Sequence, residues 1–205
     1  MRKNDRDAAA LRSEEQLDIL LRRYPLLEAL RPDIWHAYQL LRDCYEAGGK
    51  LLIAGNGGSA ADAEHIVGEL MKSFKQPRRL DAELQARLIA ESPELGPVLA
   101  AHLQQALPAI ALDGHPALST AYLNDCDPLL CFAQQVNGYG RAEDVLLAIS
   151  TSGKSKNILY AAVTARAKGI KVLGLTGAAE SPLLPLCDVC IRVPLQETYQ
   201  IQELH

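Results

Sequence analysis

A histidine and a glutamate four residues apart, just behind a glycine-rich turn, are the first groups in this chain able to do chemistry together. The stretch Leu51–Met71, LLIAGNGGSAADAEHIVGELM, reads as an apolar strand, a turn ending in serine, and a helix that carries His65 and Glu69. Glycines at 55, 57 and 58 let the backbone approach a ligand, and a helix beginning near Ser59 aims unpaired N–H groups at an anion or polyol. Spaced i, i+4, His65 and Glu69 share one helix face. They suit a base beside a proton carrier, or two metal ligands, or simply a solvated pair.

A second turn of the same kind is Ser150-Thr151-Ser152-Gly153-Lys154-Ser155. It too follows an apolar strand and precedes a helix, from about Lys156 to Lys168. Four hydroxyls and a helix N-terminus make a neutral donor cage for a phosphate monoester, against the alternative of a capped turn without ligand. The Gly-Lys-Ser triplet does not make a nucleotide P-loop, because that pattern needs glycine five residues earlier, where Ala148 stands. Nor does GNGGS match the dinucleotide-binding GxGxxG, since Ala60 replaces its last glycine.

The elements that must hold these turns follow from the pattern of apolar runs. LLIAG at 51–55, PAIALD at 108–113, DVLLAIS at 144–150, KVLGLT at 171–176 and DVCIRV at 188–193 are nearly apolar throughout and separated by helical spacing. Such runs predict a parallel sheet buried on both faces, hence a three-layer α/β sandwich with five strands. In that class a ligand binds at the carboxyl ends of the strands, where both turns fall. Residues 1–49 read as an N-terminal helical segment: a frayed start to residue 12, a helix capped by Ser13 with Gln16 and running to Arg23, a break at Pro25, and a second helix from Asp33 to Gly48 and Gly49. Residues 50–205 read as the α/β domain. Leucines at helical intervals between 74 and 107 predict two inserted helices. Further helices are expected at 117–123 and 128–136, with Asp125 in the loop between them.

A net charge of -4 gives no electrostatic reason to expect nucleic acid. No apolar run approaches the ~18 residues that span a membrane, and the charged N-terminus is no secretory signal, so a cytoplasmic protein with no membrane role is expected. Five cysteines, an odd number, fit a reduced compartment. Cys187 and Cys190 resemble half a zinc knuckle, but three-residue spacing on a strand predicts thiols on opposite faces, as core residues.

With both turns in view, the chain resembles the sugar isomerase (SIS) domain proteins, and among them the phosphoheptose isomerases. The matching pieces are AGNGGSAADAEHIVGEL at 54–70, LND at 123–125, RAEDVLLAISTSGKSKN at 141–157, KGIKVLGLTG at 168–177 and IQELH at 201–205. The resemblance implies a five-stranded parallel sheet between helices, assembled as a homotetramer with sites at subunit contacts. It implies that Ser150, Thr151, Ser152 and Ser155 hold a substrate phosphate. Asn56, Gly57, Gly58 and Ser59 form the turn against the sugar, and Asp125 binds sugar hydroxyls. Glu69 matches the catalytic glutamate, while His65, Glu69 and Gln202 match positions that surround zinc in several members.

The implied reaction isomerises sedoheptulose 7-phosphate to D-glycero-D-manno-heptose 7-phosphate through an enediol. Glu69 would be its base, with an unperturbed pKa of ~4.3 that burial against an adjoining subunit should raise. Three departures qualify this. The family's catalytic histidine falls five residues after His205, on a helix expected to be cut short here, so His205 is not given that role. Tyr199 stands where these isomerases have an aspartate, and the 74–107 insertion exceeds that of shorter members. The rival expectations are a non-catalytic SIS-domain sugar-phosphate sensor or protein-binding adaptor, and an SIS isomerase for another phosphosugar.

Overall fold

The computed structural model describes residues 3–205, with side chains described from Leu11 onward. The chain begins with α1 (Lys3–Arg23), a 3-10 turn (Pro25–Leu30) and α2 (Arg31–Glu46). The frayed start expected through residue 12 is helix from Lys3, and residues 1 and 2 lie outside the described residues. Ala8, Ala9 and Ala10 are strong helix formers, so the helix runs through Ser13 instead of starting at it. Pro25 opens the 3-10 turn as the expected break. α2 starts two residues before Asp33 with Pro32 in its first turn, where a missing N–H costs nothing. Gly48, at φ 80°, then turns the chain, and the Gly49 N–H donates back to the Cys44 carbonyl at 2.9 Å.

Five parallel strands follow in the order β2-β1-β3-β4-β5. They are β1 (Leu51–Ala54), β2 (Ala109–Ala111), β3 (Val145–Ile149), β4 (Lys171–Gly177) and β5 (Val189–Val193). Each expected apolar run supplies one strand, and the three-layer α/β class is borne out. Every residue of β1 and β3 is buried because alternate side chains enter two different cores. On one face Leu51, Ile53, Val145 and Leu147 meet Ala37 of α2 and Ala63 of α3 (Gly58–Met71). On the other Leu52, Leu146 and Ala148 meet Val136 of α7 (Cys131–Tyr139) and Ile158 and Ala161 of α8 (Lys156–Ala167). At the amino end of the sheet Asp144, 1 % exposed, accepts from the Lys50 ammonium at 2.6 Å and its backbone N–H at 2.9 Å, pinning β1 to β3.

The N-terminal helices contribute to a third core. Leu17 and Leu21 of α1, Leu27, Val193 of β5 and Ile201 of α9 (Thr198–Glu203) pack together. This places α9 beside the sheet's carboxyl end. Between β1 and β2, α4 (Ala82–Glu91) and α5 (Gly96–His102) pack on each other as a hairpin, α4 being capped by Asp81, which accepts from the Leu84 N–H at 2.7 Å. Leu80, Leu95, Leu103 and Leu107 fall outside these helices, which are shorter than the leucine spacing suggests. Arg78 fastens the hairpin's base by donating to the Leu70 carbonyl at 2.6 Å and the Gln105 carbonyl at 2.9 Å. α6 (Pro116–Asp125) precedes α7, and it includes Asp125 as its last residue. Among the described residues no helix is long and apolar enough to cross a membrane.

Candidate functional site

In this strand order the connections leave β1 and β3 in opposite directions, and the loops at their carboxyl ends part to form a crevice. Ala54 of β1 pairs with Ala148 of β3, so GNGGS and STSGKS emerge side by side. Gly57 makes the first turn with φ 56° and ψ -120°, a conformation that only glycine adopts without strain. Behind it Ser59 is buried and its N–H donates to the Asn56 carbonyl at 3.0 Å. The second turn closes through the Gly153 N–H to the Ser150 carbonyl at 3.0 Å, Gly153 having φ 61°. Ser150 is buried and its hydroxyl lies 3.2 Å from that of Ser155. Ser155 occupies the N-cap of α8 without bonding the helix through its side chain, so its hydroxyl stays available to a ligand. Thr151 is half-buried, and Ser152 is exposed with its hydroxyl accepting from the Lys154 N–H at 3.3 Å.

The two turns are bolted together by Asn56 and by Asn157, a residue to which the sequence reading gave no role. The Asn56 amide donates to Asn157 at 3.0 Å, and the Asn157 amide donates back at 2.7 Å, across a separation of 101 residues. Only that long-range contact singles out Asn157. Ser181 was missed too: it sits so close beneath Gly153 that an added Cβ there would overlap its hydroxyl, and the Leu183 N–H donates to the Gly153 carbonyl at 3.3 Å. From the far end of the chain, Gln202 on α9 lays its amide directly against Gly58. Asn56, Gly57, Gly58, Ser59, Ser150, Thr151, Ser152, Ser155 and Gln202 therefore gather around one crevice.

His65 and Glu69 are arranged differently. Gly58, Asp62, His65 and Glu69 follow one another along a single face of α3, so Glu69 stands about 16 Å up the axis from Gly58. The His65 Nε2 lies 3.7 Å from a Glu69 carboxylate oxygen, with side chains 79 % and 42 % exposed. Glu69 opens onto a cleft of about 950 Å³ whose wall carries Arg12, Lys75 and Arg78, and no residue of the Ser150–Ser155 turn lines it. Asp125, expected in a loop, is exposed at the end of α6 because the helix started at Pro116 runs through it; its carboxylate accepts from the Asn124 amide at 2.7 Å. His205 is set beside Asp62, where burial pulls its pKa below the usual imidazole value against the pull of that carboxylate.

The same separation bears on the zinc ligands that the resemblance implies. His65 and Glu69 present two donors on one face, but Gln202 lies at Gly58, about 10 Å of helix rise from His65. Among the described residues no three of His, Cys, Asp or Glu cluster as a metal site. The described residues of one chain do not by themselves close a three-ligand set.

Comparison with known proteins places the chain in a family. Residues 93–177 match the model of the SIS domain family. A phosphoheptose isomerase from Rhodospirillum rubrum is 40 % identical over 174 residues, covering 85 % of this chain and 79 % of the relative. Its counterpart from Campylobacter jejuni is 37 % identical over 178 residues, covering 87 % and 82 %. Among solved structures, a phosphoheptose isomerase from Francisella tularensis superposes with a TM-score of 0.71 at 33 % identity, covering 100 % of this chain and 93 % of that one. With paired turns at the β1/β3 crevice and that degree of identity over most of its length, the chain belongs to the phosphoheptose isomerase family.

Proposed function

We propose that the protein is an aldose–ketose isomerase that converts sedoheptulose 7-phosphate to D-glycero-D-manno-heptose 7-phosphate. The observation that carries the reading is the pre-built phosphate grip. Ser150, Thr151, Ser152 and Ser155 ring the N-terminus of the 12-residue helix α8, whose free N–H groups and dipole favour a phosphate dianion. Held there, the sugar extends toward Asn56, Ser59 and Gln202, whose amides and hydroxyl suit its oxygens. Fixing the far end of the substrate orients the reacting carbons, so phosphate binding is turned into rate.

The proton step belongs to Glu69. Moving a proton between the carbons beside the carbonyl needs one base, an acid–base group at the oxygens, and stabilisation of the enediolate. Glu69 removes the proton and His65, 3.7 Å away, is placed to exchange protons with it. That Glu69 and the phosphate grip stand apart in one chain supports the homotetramer with shared sites, in which a second copy brings its Glu69 to the grip. Asp125, exposed on α6, joins the sugar hydroxyls in the same way. Zinc would supply polarisation of the carbonyl oxygens, with His65 and Glu69 as two of its ligands. A cytoplasmic location accords with five free cysteines.

Incubating the protein with sedoheptulose 7-phosphate, with and without added zinc, and following aldose formation tests the reading. Turnover supports it. Binding without turnover favours a non-catalytic sugar-phosphate sensor, and turnover of a pentose or amino-sugar phosphate in its place moves the substrate assignment.

A further inference from the structure

Cys187 and Cys190 do not point to opposite faces as their spacing on a strand predicts. The strand begins only at Val189, and Cys187 ends the 3-10 turn Leu184–Leu186 that precedes it. The chain therefore bends between the two cysteines, and both thiols turn toward β4 at Gly174. A Cβ placed on Gly174 would lie 2.6 Å from the Cys187 sulfur and 2.9 Å from the Cys190 sulfur. Gly174 has no side chain to separate them, so the two sulfurs face each other over its Cα. Both cysteines are half-buried and neither is bonded to another cysteine.

We infer that Cys187 and Cys190 form a redox-active dithiol that closes to an intramolecular disulfide on reaction with low-molecular-weight disulfides such as oxidised glutathione. The order of attack follows from the surroundings. Contact with the Cys187 sulfur lowers the pKa of Cys190 despite burial, and Arg192 adds to the effect while Asp33 opposes it. Cys187 itself is pushed upward by that same contact and by burial. Cys190 is thus the thiolate that attacks the external disulfide, forming a mixed disulfide and expelling one glutathione thiolate. The Cys187 sulfur then attacks Cys190, loses its proton to solvent and releases the second glutathione. One disulfide is reduced to two thiols as two protein thiols are oxidised to one disulfide.

Cys187 lies two hydrogen bonds away from the phosphate turn. In the reduced state the Cys187 thiol donates to the Leu183 carbonyl at 3.3 Å, and the Leu183 N–H supports the Gly153 carbonyl at 3.3 Å. Oxidation removes the first of these two bonds.

Exposed Cys126 provides an internal control. The native protein is treated with oxidised glutathione, alkylated, digested with trypsin and weighed. The peptide 172–192, which contains both cysteines, is expected to be two mass units lighter and unalkylated, and to take up two alkyl groups after dithiothreitol. Cys126 should carry glutathione. In Cys187→Ser the mixed disulfide at Cys190 should persist, because nothing displaces it. The proposal is overturned if the wild-type peptide stays doubly alkylated, or carries glutathione without closing, while Cys126 has reacted.

Discussion

The two ends of one line on α3 are built in contrasting ways. At Gly58 the turn is locked: its neighbour Asn56 is held by Asn157 through two reciprocal hydrogen bonds, and Gln202 lies against the glycine itself. Eleven residues further along the same helix face, Glu69 and His65 are partly open to solvent, and among the described residues each has the other as its ion-pair partner, at 3.7 Å. On the proposed reading, the recognition half of the site is organised within one chain, whereas the proton-transfer half is completed by a second copy. A phosphate grip must be rigid before substrate arrives. A carboxylate base instead works best where water is excluded and its pKa is raised, and a contact between copies can supply both.

Substitutions at each end separate these roles. Glu69→Gln is expected to give the largest effect, a fall in kcat of about 10²- to 10⁴-fold, the usual contribution of a general base, with KM changed only a few-fold. Steady-state kinetics on sedoheptulose 7-phosphate check this, and undiminished turnover would remove Glu69 from the mechanism. Gly153→Ala comes next. An L-residue at φ 61° is strained, and its Cβ would strike Ser181, so the phosphate turn must shift. KM should rise by about tenfold or more, the equivalent of at least about 1.4 kcal/mol, while the fold survives by circular dichroism. Asn157→Ala is the mildest. It removes two partly exposed hydrogen bonds worth about 0.5–1.5 kcal/mol each and should raise KM several-fold, and adding Asn56→Ala should cost only the further contact that Asn56 makes with the sugar, because the Asn56–Asn157 bonds are already gone.

Much of the sheet and of its two turns could be read from the chain because those signals are local. An apolar run such as VLLAI at 145–149 means a doubly buried strand wherever it occurs, and hydroxyls clustered before a helix advertise an anion site. What was illegible depends on distant or cumulative effects. Ser13 has the local marks of a cap, but the alanines before it carry helix past it. Asp125 sits in a turn-forming dipeptide and is nevertheless absorbed by α6. The strand's late start at Val189 brought Cys187 and Cys190 together, since one residue outside the pleat is enough to reverse a side chain's direction. Asn157 gave no sign of its role, because its partner is a hundred residues away in sequence and adjacent only in the fold.

The claim that the two halves meet between copies is tested most directly by complementation. Glu69→Gln and Gly153→Ala are each expected to be impaired alone, one lacking the base and the other the phosphate grip. Co-expressed in equal amounts and purified as mixed assemblies, they should regain activity at low substrate concentration. If chains pair at random, about a quarter of the sites draw an intact Glu69 and an intact grip from different copies. Activity no greater than the average of the two parents would place both halves of each site within a single chain and contradict the account.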